Sequence, residues 1–151
     1  HIPMSDFTAG PAWQEPLKIA GQRIAPNICY EDLFGEELLG ALPEATLLVN
    51  LSNTAWFGDS LAQPQHLQIA QLRAIETGRV MLRATNTGMT AMVGPDGAIA
   101  AALPPFVRAA LVVQAQGRTG LTPYARWGNL LALLIAVGAC LTALRRSIQS
   151  L

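Results

Sequence analysis

The sequence predicts an α/β fold, in which a sheet is layered against helices, followed by a single apolar helix. Three observations lead to this prediction. Apolar runs of strand length alternate with segments of helical spacing, an Asp-Gly turn separates two later apolar runs, and residues 127–144 carry no charged side chain. Such alternation followed by a run of strands is typical of layered α/β domains and not of all-β barrels.

The composition excludes two broad classes of protein. Of the 151 residues, 51% are apolar and only 13% are charged, which excludes an intrinsically disordered chain. The ten basic and ten acidic residues balance, but every acid lies in residues 1–96, and residues 97–151 hold five arginines and no acid. Because these arginines are scattered, they do not form a nucleic-acid footprint. We therefore expect no nucleic-acid partner and a basic end that faces a membrane.

The first half of the chain predicts two strand–helix pairs. A short strand over 22–29 leads into helical spacing at 33–39, so that Cys29 lies where the strand passes into the helix. The continuous apolar run 45–51 has the length of a strand covered on both faces. A second helix is predicted over 65–78, where a glycine ends it.

The second half predicts four strands. They lie at 80–84, 89–94, 98–103 and 107–114, and the Pro-Asp-Gly sequence at 95–97 forms the turn of a hairpin. Before all these elements, the Pro- and Gly-rich start of the chain up to residue 18 predicts an irregular segment.

The uncharged run 127–144 predicts a membrane-spanning helix. At 1.5 Å per residue it extends about 27 Å, close to the thickness of a hydrocarbon core of roughly 30 Å. Tyr124 and Trp127 mark one rim, and Arg145 and Arg146 mark the other and favour a cytoplasmic C-terminus. The alternative is a helix buried in a core or docked on a protein, although such a helix should show a polar face.

Cys29 is the candidate nucleophile, because a thiol at the start of a helix gains thiolate stability from the helix dipole. The alternative is a small buried apolar residue. Glu31, two residues later, either steers a nearby amine or complements the dipole of the first helical turn. The other cysteine, Cys140, lies in the apolar run, and we expect both thiols to be free.

Trp56 and Phe57 lie on a polar loop and are followed by Gly58, whose backbone allows hinge-like angles. They predict either a mobile lid over an apolar substrate or an anchor that inserts into the core, which is the commoner role of such residues.

Two further groups have both catalytic and structural interpretations. A Cys29–His66 pair would suit a thiol protease, but a surface or capping role of His66 is the alternative that its polar neighbours favour. Glu76 lies three residues from both Arg73 and Arg79, a spacing that predicts ion pairs along a helix.

Seven short motifs follow one another over nearly the whole chain and carry a family resemblance. The chain resembles bacterial apolipoprotein N-acyltransferases, which belong to the nitrilase or carbon–nitrogen hydrolase superfamily. The Cys-Tyr-Glu element indicates the superfamily, and the Trp-Phe-Gly-Asp-Ser and Thr-Pro-Tyr-Ala-Arg elements with the apolar helix indicate the acyltransferases. The motifs lie at 28–31, 53–60, 65–66, 73–76, 83–88, 94–97 and 120–129.

The resemblance implies a partial nitrilase-like α-β-β-α sandwich, with the chain forming the C-terminal part of the protein. Residues 1–118 are then part of the catalytic domain, 119–126 a juxtamembrane linker and 127–146 a transmembrane helix. The family places its catalytic domain on the periplasmic side of the bacterial inner membrane.

The resemblance also implies site residues and partners. Cys29 matches the nucleophile that carries an acyl chain as a thioester, and Glu31 matches a site carboxylate. Tyr30, Trp56 and Phe57 match positions that contact substrate. The donor is a phospholipid, the acceptor is the amine of a diacylglyceryl-cysteine lipoprotein, and we expect a monomer that uses no cofactor and no metal.

The family's Glu-Lys-Cys triad is incomplete in this sequence. The resemblance places its glutamate and lysine upstream of His1, and the one lysine, Lys18, matches no catalytic position. We therefore expect these 151 residues to be inactive alone. Two alternatives remain from the residues: an amidase that acts on small amides, and a membrane-anchored binding domain in which Cys29 is inert.

Overall fold

The computed structural model describes residues 8, 10–11 and 14–149. These residues form one mixed sheet whose strands lie side by side in chain order. The second, third and fourth strands are parallel, and the other neighbours are antiparallel. The strands are β1 (Leu17–Ile19), β2 (Gln22–Ile28), β3 (Leu47–Ser52), β4 (Val80–Thr85), β5 (Ala91–Val93) and β6 (Ile99–Ala102).

Four α-helices accompany the sheet: α1 (Gly35–Leu38), α2 (Ala62–Thr77), α3 (Pro123–Trp127) and α4 (Leu130–Gln149). Short 3-10 turns cover Cys29–Leu33, Leu39–Ala41 and Ala55–Phe57. Helix α2 makes the crossover between the parallel strands β3 and β4, which need a connection of this length.

The core lies between one face of the sheet and α2. Leu48 and Met81 are fully buried on that face, and Ala70 and Ala74 of α2 are equally buried. Small alanine side chains allow the helix to approach the strands closely. The opposite face of the sheet is apolar and is open at the carboxyl ends of β2 and β3, where Ile28 is 52% and Leu51 is 47% exposed. The α/β prediction is confirmed, with one sheet and one helical layer in the described residues.

Two predictions for single strands are wrong. Strand β1 lies partly within the segment up to residue 18 that was predicted to be irregular, because Leu17 pairs with Ile24 in an antiparallel hairpin. The segment 107–114 forms no strand, and Val112 is 92% exposed. A mostly apolar segment becomes a strand only where a neighbouring backbone offers hydrogen bonds, and this segment has left the sheet after β6. The part of the first segment before residue 8 lies outside the described residues.

The helix boundaries also differ from the predictions. The chain after Cys29 turns first as a 3-10 helix, and α1 is only four residues long. The helix predicted over 127–144 begins three residues later, as α4 at Leu130, because Gly128 adopts φ +52° and ends the separate short helix α3 at Trp127. A left-handed residue at this position stops an α-helix and reorients the next one.

Helix α4 has no covering layer in the described structure. Every side chain from 130 to 147 is exposed, and the segment Leu130–Ser147 is long and apolar enough to cross a membrane by length and composition. Its start is attached to the domain, since the Asn129 N–H donates to Glu36 Oε1 over 3.0 Å. The span itself, and the boundaries at 118 and 126, stay predictions.

Candidate active site

Cys29 lies at the carboxyl end of β2, as predicted, and begins the turn Cys29–Leu33. It is half-buried, and its backbone has φ +54°, in the left-handed region that side chains other than glycine rarely adopt. Holding a non-glycine residue there costs about 1–2 kcal/mol. Such strain persists only where surrounding contacts fix it, and it is concentrated at functional sites.

Glu31 stabilises the entry to this turn. Its Oε2 accepts a hydrogen bond from the Ile28 N–H over 2.6 Å. The contact supports the structural interpretation, in which an acid in the first helical turn binds a free backbone N–H. The other carboxylate oxygen, Oε1, has no hydrogen bond to the described residues, and the Glu31 side chain is exposed. The carboxylate can therefore still contact a substrate beside the turn.

Three exposed aromatic side chains, which we call the aromatic rim, lie on the turns that follow β2 and β3: Tyr30, Trp56 and Phe57. Their exposed fractions are 64%, 67% and 51%. Residues Ile28 and Leu51 pair at the ends of two parallel strands, so the turns that follow both strands leave the same edge of the sheet. The core-anchor interpretation of Trp56 and Phe57 is wrong, because neither side chain inserts into the core.

A buried cluster of charged and polar groups lies behind the turn. Asp32 is completely buried, and its Oδ2 accepts a hydrogen bond from Arg83 Nη1 over 3.1 Å. Its Oδ1 lies 2.9 Å from His66 Nε2, and Arg83 Nη2 lies 2.6 Å from His66 Nδ1. The three side chains therefore close a triangle, which we call the Asp32–His66–Arg83 triangle.

The triangle fixes the tautomer of His66. A guanidinium only donates hydrogen bonds, so Nδ1 must be the acceptor, and the ring proton must lie on Nε2, which donates to Asp32. The lone pair that could take a proton from Cys29 is thus occupied. His66 is not a surface residue, since its side chain is only 11% exposed. The favoured surface role was wrong, and within the described residues this geometry also prevents His66 from acting as the base of a thiol protease.

A row of polar side chains connects the triangle to Cys29. Asn27, Asn50 and Arg83 are neighbours in register on β2, β3 and β4. Asn50 Nδ2 donates to the Cys29 carbonyl oxygen over 3.0 Å and to Asn27 Oδ1 over 2.6 Å. Its own Oδ1 accepts from Arg83 Nη1 over 3.2 Å and also from the Ser52 hydroxyl.

Burial lowers the pKa of the Arg83 guanidinium, and the negative charges of Asp32 and of Cys29 act in the opposite direction. The sequence showed no cation for this site, because the only lysine matches no catalytic position. In the described structure Arg83 on β4 is a buried cation that is linked to the Cys29 turn through Asp32 and Asn50.

Sequence reasoning missed Asp32, Asn50 and Arg83 as members of the site. Asn50 and Arg83 each interrupt an otherwise apolar strand, and a polar residue within a buried strand was the signal that could have indicated them. Asp32 gave no comparable signal, because acids are common in the first turn of helices.

The predicted helical ion pairs are present in part. Arg73 Nη2 donates to Glu76 Oε1 over 3.1 Å, as predicted. Arg79 instead donates to three backbone carbonyl oxygens, those of Ala45, Thr77 and Gly120. The prediction for Arg79 is wrong because Gly78 ends α2, so the residue after it no longer follows the helical spacing.

Both cysteines are free thiols in the structure. Within residues 14–149, no group of three or more His, Cys, Asp or Glu side chains is placed to hold a metal ion.

Comparison with known proteins gives a consistent result. Residues 4–124 match the model of the carbon–nitrogen hydrolase family. The chain is 55% identical over 144 residues to the apolipoprotein N-acyltransferase of Nitrosomonas europaea, an alignment that covers 92% of this chain and 29% of that protein. It is 56% identical over 140 residues to the enzyme of the same name from Chromobacterium violaceum, covering 93% and 27%.

The structural likeness agrees. An amidase from Nesterenkonia sp. AN1, solved with the result of Michael addition of acrylamide at its active-site cysteine, superposes with a TM-score of 0.53 at 25% identity. The superposition covers 66% of this chain and 41% of the amidase. These comparisons confirm the resemblance seen in the sequence. They also show that the chain spans under a third of the length of the two acyltransferases.

Proposed function

The chain belongs to the carbon–nitrogen hydrolase family, and from this premise we propose that it contributes the nucleophile of a membrane acyltransferase. Cys29 takes an acyl chain from a phospholipid and passes it to the terminal amine of a diacylglyceryl-cysteine lipoprotein. The observation that carries the proposal is a half-buried thiol in a strained turn that is tied to the buried Arg83 through Asp32 and Asn50, at the sheet edge from which the aromatic rim also extends.

The reaction has two balanced steps. First, the Cys29 thiolate attacks the ester carbonyl carbon, the C–S bond forms, the ester C–O bond breaks, and the lysophospholipid oxygen takes the proton that left the thiol. Second, the acceptor amine attacks the thioester carbonyl, the C–N bond forms, the C–S bond breaks, and the departing thiolate recovers a proton from the amine. The base that moves these protons lies on the remainder of the longer protein.

The aromatic rim and α4 suit substrates that stay in a bilayer. Tyr30, Trp56 and Phe57 present amphipathic or apolar surface beside Cys29, where an acyl chain must pass. A spanning α4 keeps the thiol close to the membrane, which raises the effective concentration of donor and acceptor. In this arrangement the catalytic domain is periplasmic, the C-terminus is cytoplasmic and the protein works as a monomer.

The decisive experiment is detection of the thioester. The full-length protein is incubated with phosphatidylethanolamine micelles without acceptor, and the mass of the Cys29 peptide is measured. We expect an added acyl group on Cys29 that hydroxylamine removes. Cys29→Ala should abolish the adduct and transfer, whereas Cys140→Ala should retain both, since Cys140 lies in α4. A folded Cys29→Ala protein that still transfers acyl groups would contradict the proposal.

The likeness to the Nesterenkonia amidase supports a second candidate, an amidase that hydrolyses small amides through the same thiol. The two candidates differ in what resolves the thioester. Rapid turnover of acetamide or butyramide without lipid would favour the amidase, and a thioester that persists in water until an amine arrives would favour the acyltransferase.

The orientation of α4 is tested separately. Green fluorescent protein fused after Leu151 should fluoresce, because it folds on the cytoplasmic side, and alkaline phosphatase fused there should stay inactive. The reverse pair of results would place the C-terminus in the periplasm and contradict the proposed topology.

A further inference from the structure

Two buried arginines, one just before β4 and one within it, differ in their partners. Arg83 is 3% exposed and Arg79 is 1% exposed. Arg79 donates only to backbone carbonyl oxygens, at the distant start of β4. Arg83 donates to side chains that lead to Cys29. Arg79 is therefore a buried arginine with no link to Cys29 in the described residues, and it can serve as the control for Arg83.

The contacts of Arg83 reach both ends of the turn that carries the thiol. At one end its Nη1 binds the Asp32 carboxylate, and at the other the same nitrogen binds Asn50, which in turn holds the Cys29 carbonyl oxygen. The turn is thereby held at two points by groups attached to the rigid central strands β3 and β4. Two anchors are what a residue at φ +54° needs in order to keep a strained backbone.

The third member of the triangle keeps Arg83 in place. His66 enters from α2 and accepts from Nη2, so the guanidinium cannot rotate away from Asp32 without losing a second bond. Because the carboxylate, the neutral ring and the guanidinium satisfy one another, the triangle stays charge-balanced behind the turn. The Nε–H of Arg83 is buried and has no acceptor in the described part of the chain.

We propose that Arg83 is a positioning residue for Cys29, which fixes the strained turn through Asp32 and Asn50 and presents a stationary positive charge behind the reacting sulfur. The inference rests on the proposed thioester chemistry and deepens it. The fixed positive charge stabilises negative charge that develops at the site during acylation, and the two anchors keep the sulfur at one orientation, so both effects act on the acylation step and not on lipid binding.

The test uses the full-length protein and compares the double variant Asp32→Asn, Arg83→Met with Arg79→Met. Removing both charges together avoids leaving a lone buried carboxylate, which would unfold the domain. Acylation of Cys29 by phosphatidylethanolamine micelles is followed by mass spectrometry over a range of lipid concentrations. Thermal unfolding of each variant checks that it is folded.

We expect the maximal acylation rate of the double variant to fall by about tenfold or more, a size typical of losing one fixed electrostatic group. The lipid concentration at half-maximal rate should change less than about twofold, and Arg79→Met should acylate at the wild-type rate. A folded double variant that acylates as fast as Arg79→Met would overturn the inference. So would a loss confined to lipid binding.

A second variant tests the role of Arg83 if the double variant fails to fold, and a second assay tests it without lipid. If the double variant does not fold, Asn50→Ser cuts the link to the Cys29 carbonyl while it leaves the Arg83–Asp32 pair intact, and its acylation rate should fall in the same way.

Alkylation of Cys29 by iodoacetamide at neutral pH needs no lipid, and it should slow in the same variants. Absence of any thioester in the wild-type protein would defeat the proposed function, whereas equal alkylation of wild type and variants would defeat the role of Arg83 alone.

Discussion

Replacing Asp32 with asparagine should destabilise the fold far more than replacing Glu44 with glutamine. Both changes turn a carboxylate that pairs with an arginine into an amide. The Asp32–Arg83 pair has side chains 0% and 1% exposed, and the Glu44–Arg23 pair has side chains 60% and 47% exposed. The two N–O distances are equal at 3.1 Å, so the pairs differ in burial and in the additional contact of Asp32 with His66.

The magnitudes follow from that difference. Removing one partner of a buried pair leaves an uncompensated charge in a medium of low dielectric constant and costs about 3–5 kcal/mol. An exposed pair is solvated and screened, and its loss costs about 0.2–1 kcal/mol. We therefore expect Asp32→Asn to lose roughly 2–5 kcal/mol more of the free energy of unfolding than Glu44→Gln.

The assay is equilibrium unfolding of the full-length protein in detergent, followed by circular dichroism and by tryptophan fluorescence. Both variants are compared at the same pH and at two salt concentrations, because salt should weaken only the exposed pair. If Asp32→Asn lowers the free energy of unfolding no more than Glu44→Gln does, the buried Asp32 charge is not needed to balance Arg83, and the reasoning from burial is refuted.

Two further predictions concern the joint between α1, α2 and α3. Gly35→Ala should destabilise the protein by about 1–3 kcal/mol, as overpacking does, because a Cβ there would lie 2.2 Å from Arg73 Nη1 and 2.7 Å from Glu76 Oε2. The control Gly138→Ala meets nothing within 4 Å and should be neutral or slightly stabilising, so equal thermal midpoints for the two variants would contradict the prediction. Burial raises the pKa of Glu76 above its usual value of 4.5, against the opposing charge of Arg73. The native state therefore holds this proton more tightly than the unfolded state, and stability is lost as the pH rises from about 4.5 through the raised pKa. Glu76→Gln should lack this loss when unfolding is measured from pH 4 to pH 8, and an unchanged pH profile would show that Glu76 is not its source.

Much of the fold was predictable from local patterns. The strands at 22–29, 45–51 and 80–84, the hairpin turn at 95–97 and the helix that ends at Gly78 all appear close to their predicted bounds. Periodicity and turn residues act over a few positions, so they are readable in one sequence. The segment 107–114 is similarly apolar but has no neighbouring strand to pair with. A local sequence pattern does not show whether such a neighbouring strand is present.

The candidate nucleophile Cys29 could be predicted from its neighbours along the chain, but the side chains that surround it could not. Cys29 is marked by its place between a strand and a turn. Its supporting groups are far away in sequence: Asp32 and Arg83 are separated by 51 positions, and Asp32 and His66 by 34. Which of many polar residues meet behind a turn depends on the path of the chain, and that path is a property of the whole fold.

The amino-acid sequence by itself determined most of the strands and helices, the position of the thiol, the apolar helix and the family resemblance, because each depends on neighbours along the chain. Only the tertiary structure decided that Asp32, His66 and Arg83 close a buried triangle, that His66 carries its proton on Nε2, and that Trp56 and Phe57 stay exposed. Burial and hydrogen bonding across β3, β4 and α2 set these features, and both come into existence only when distant segments pack together.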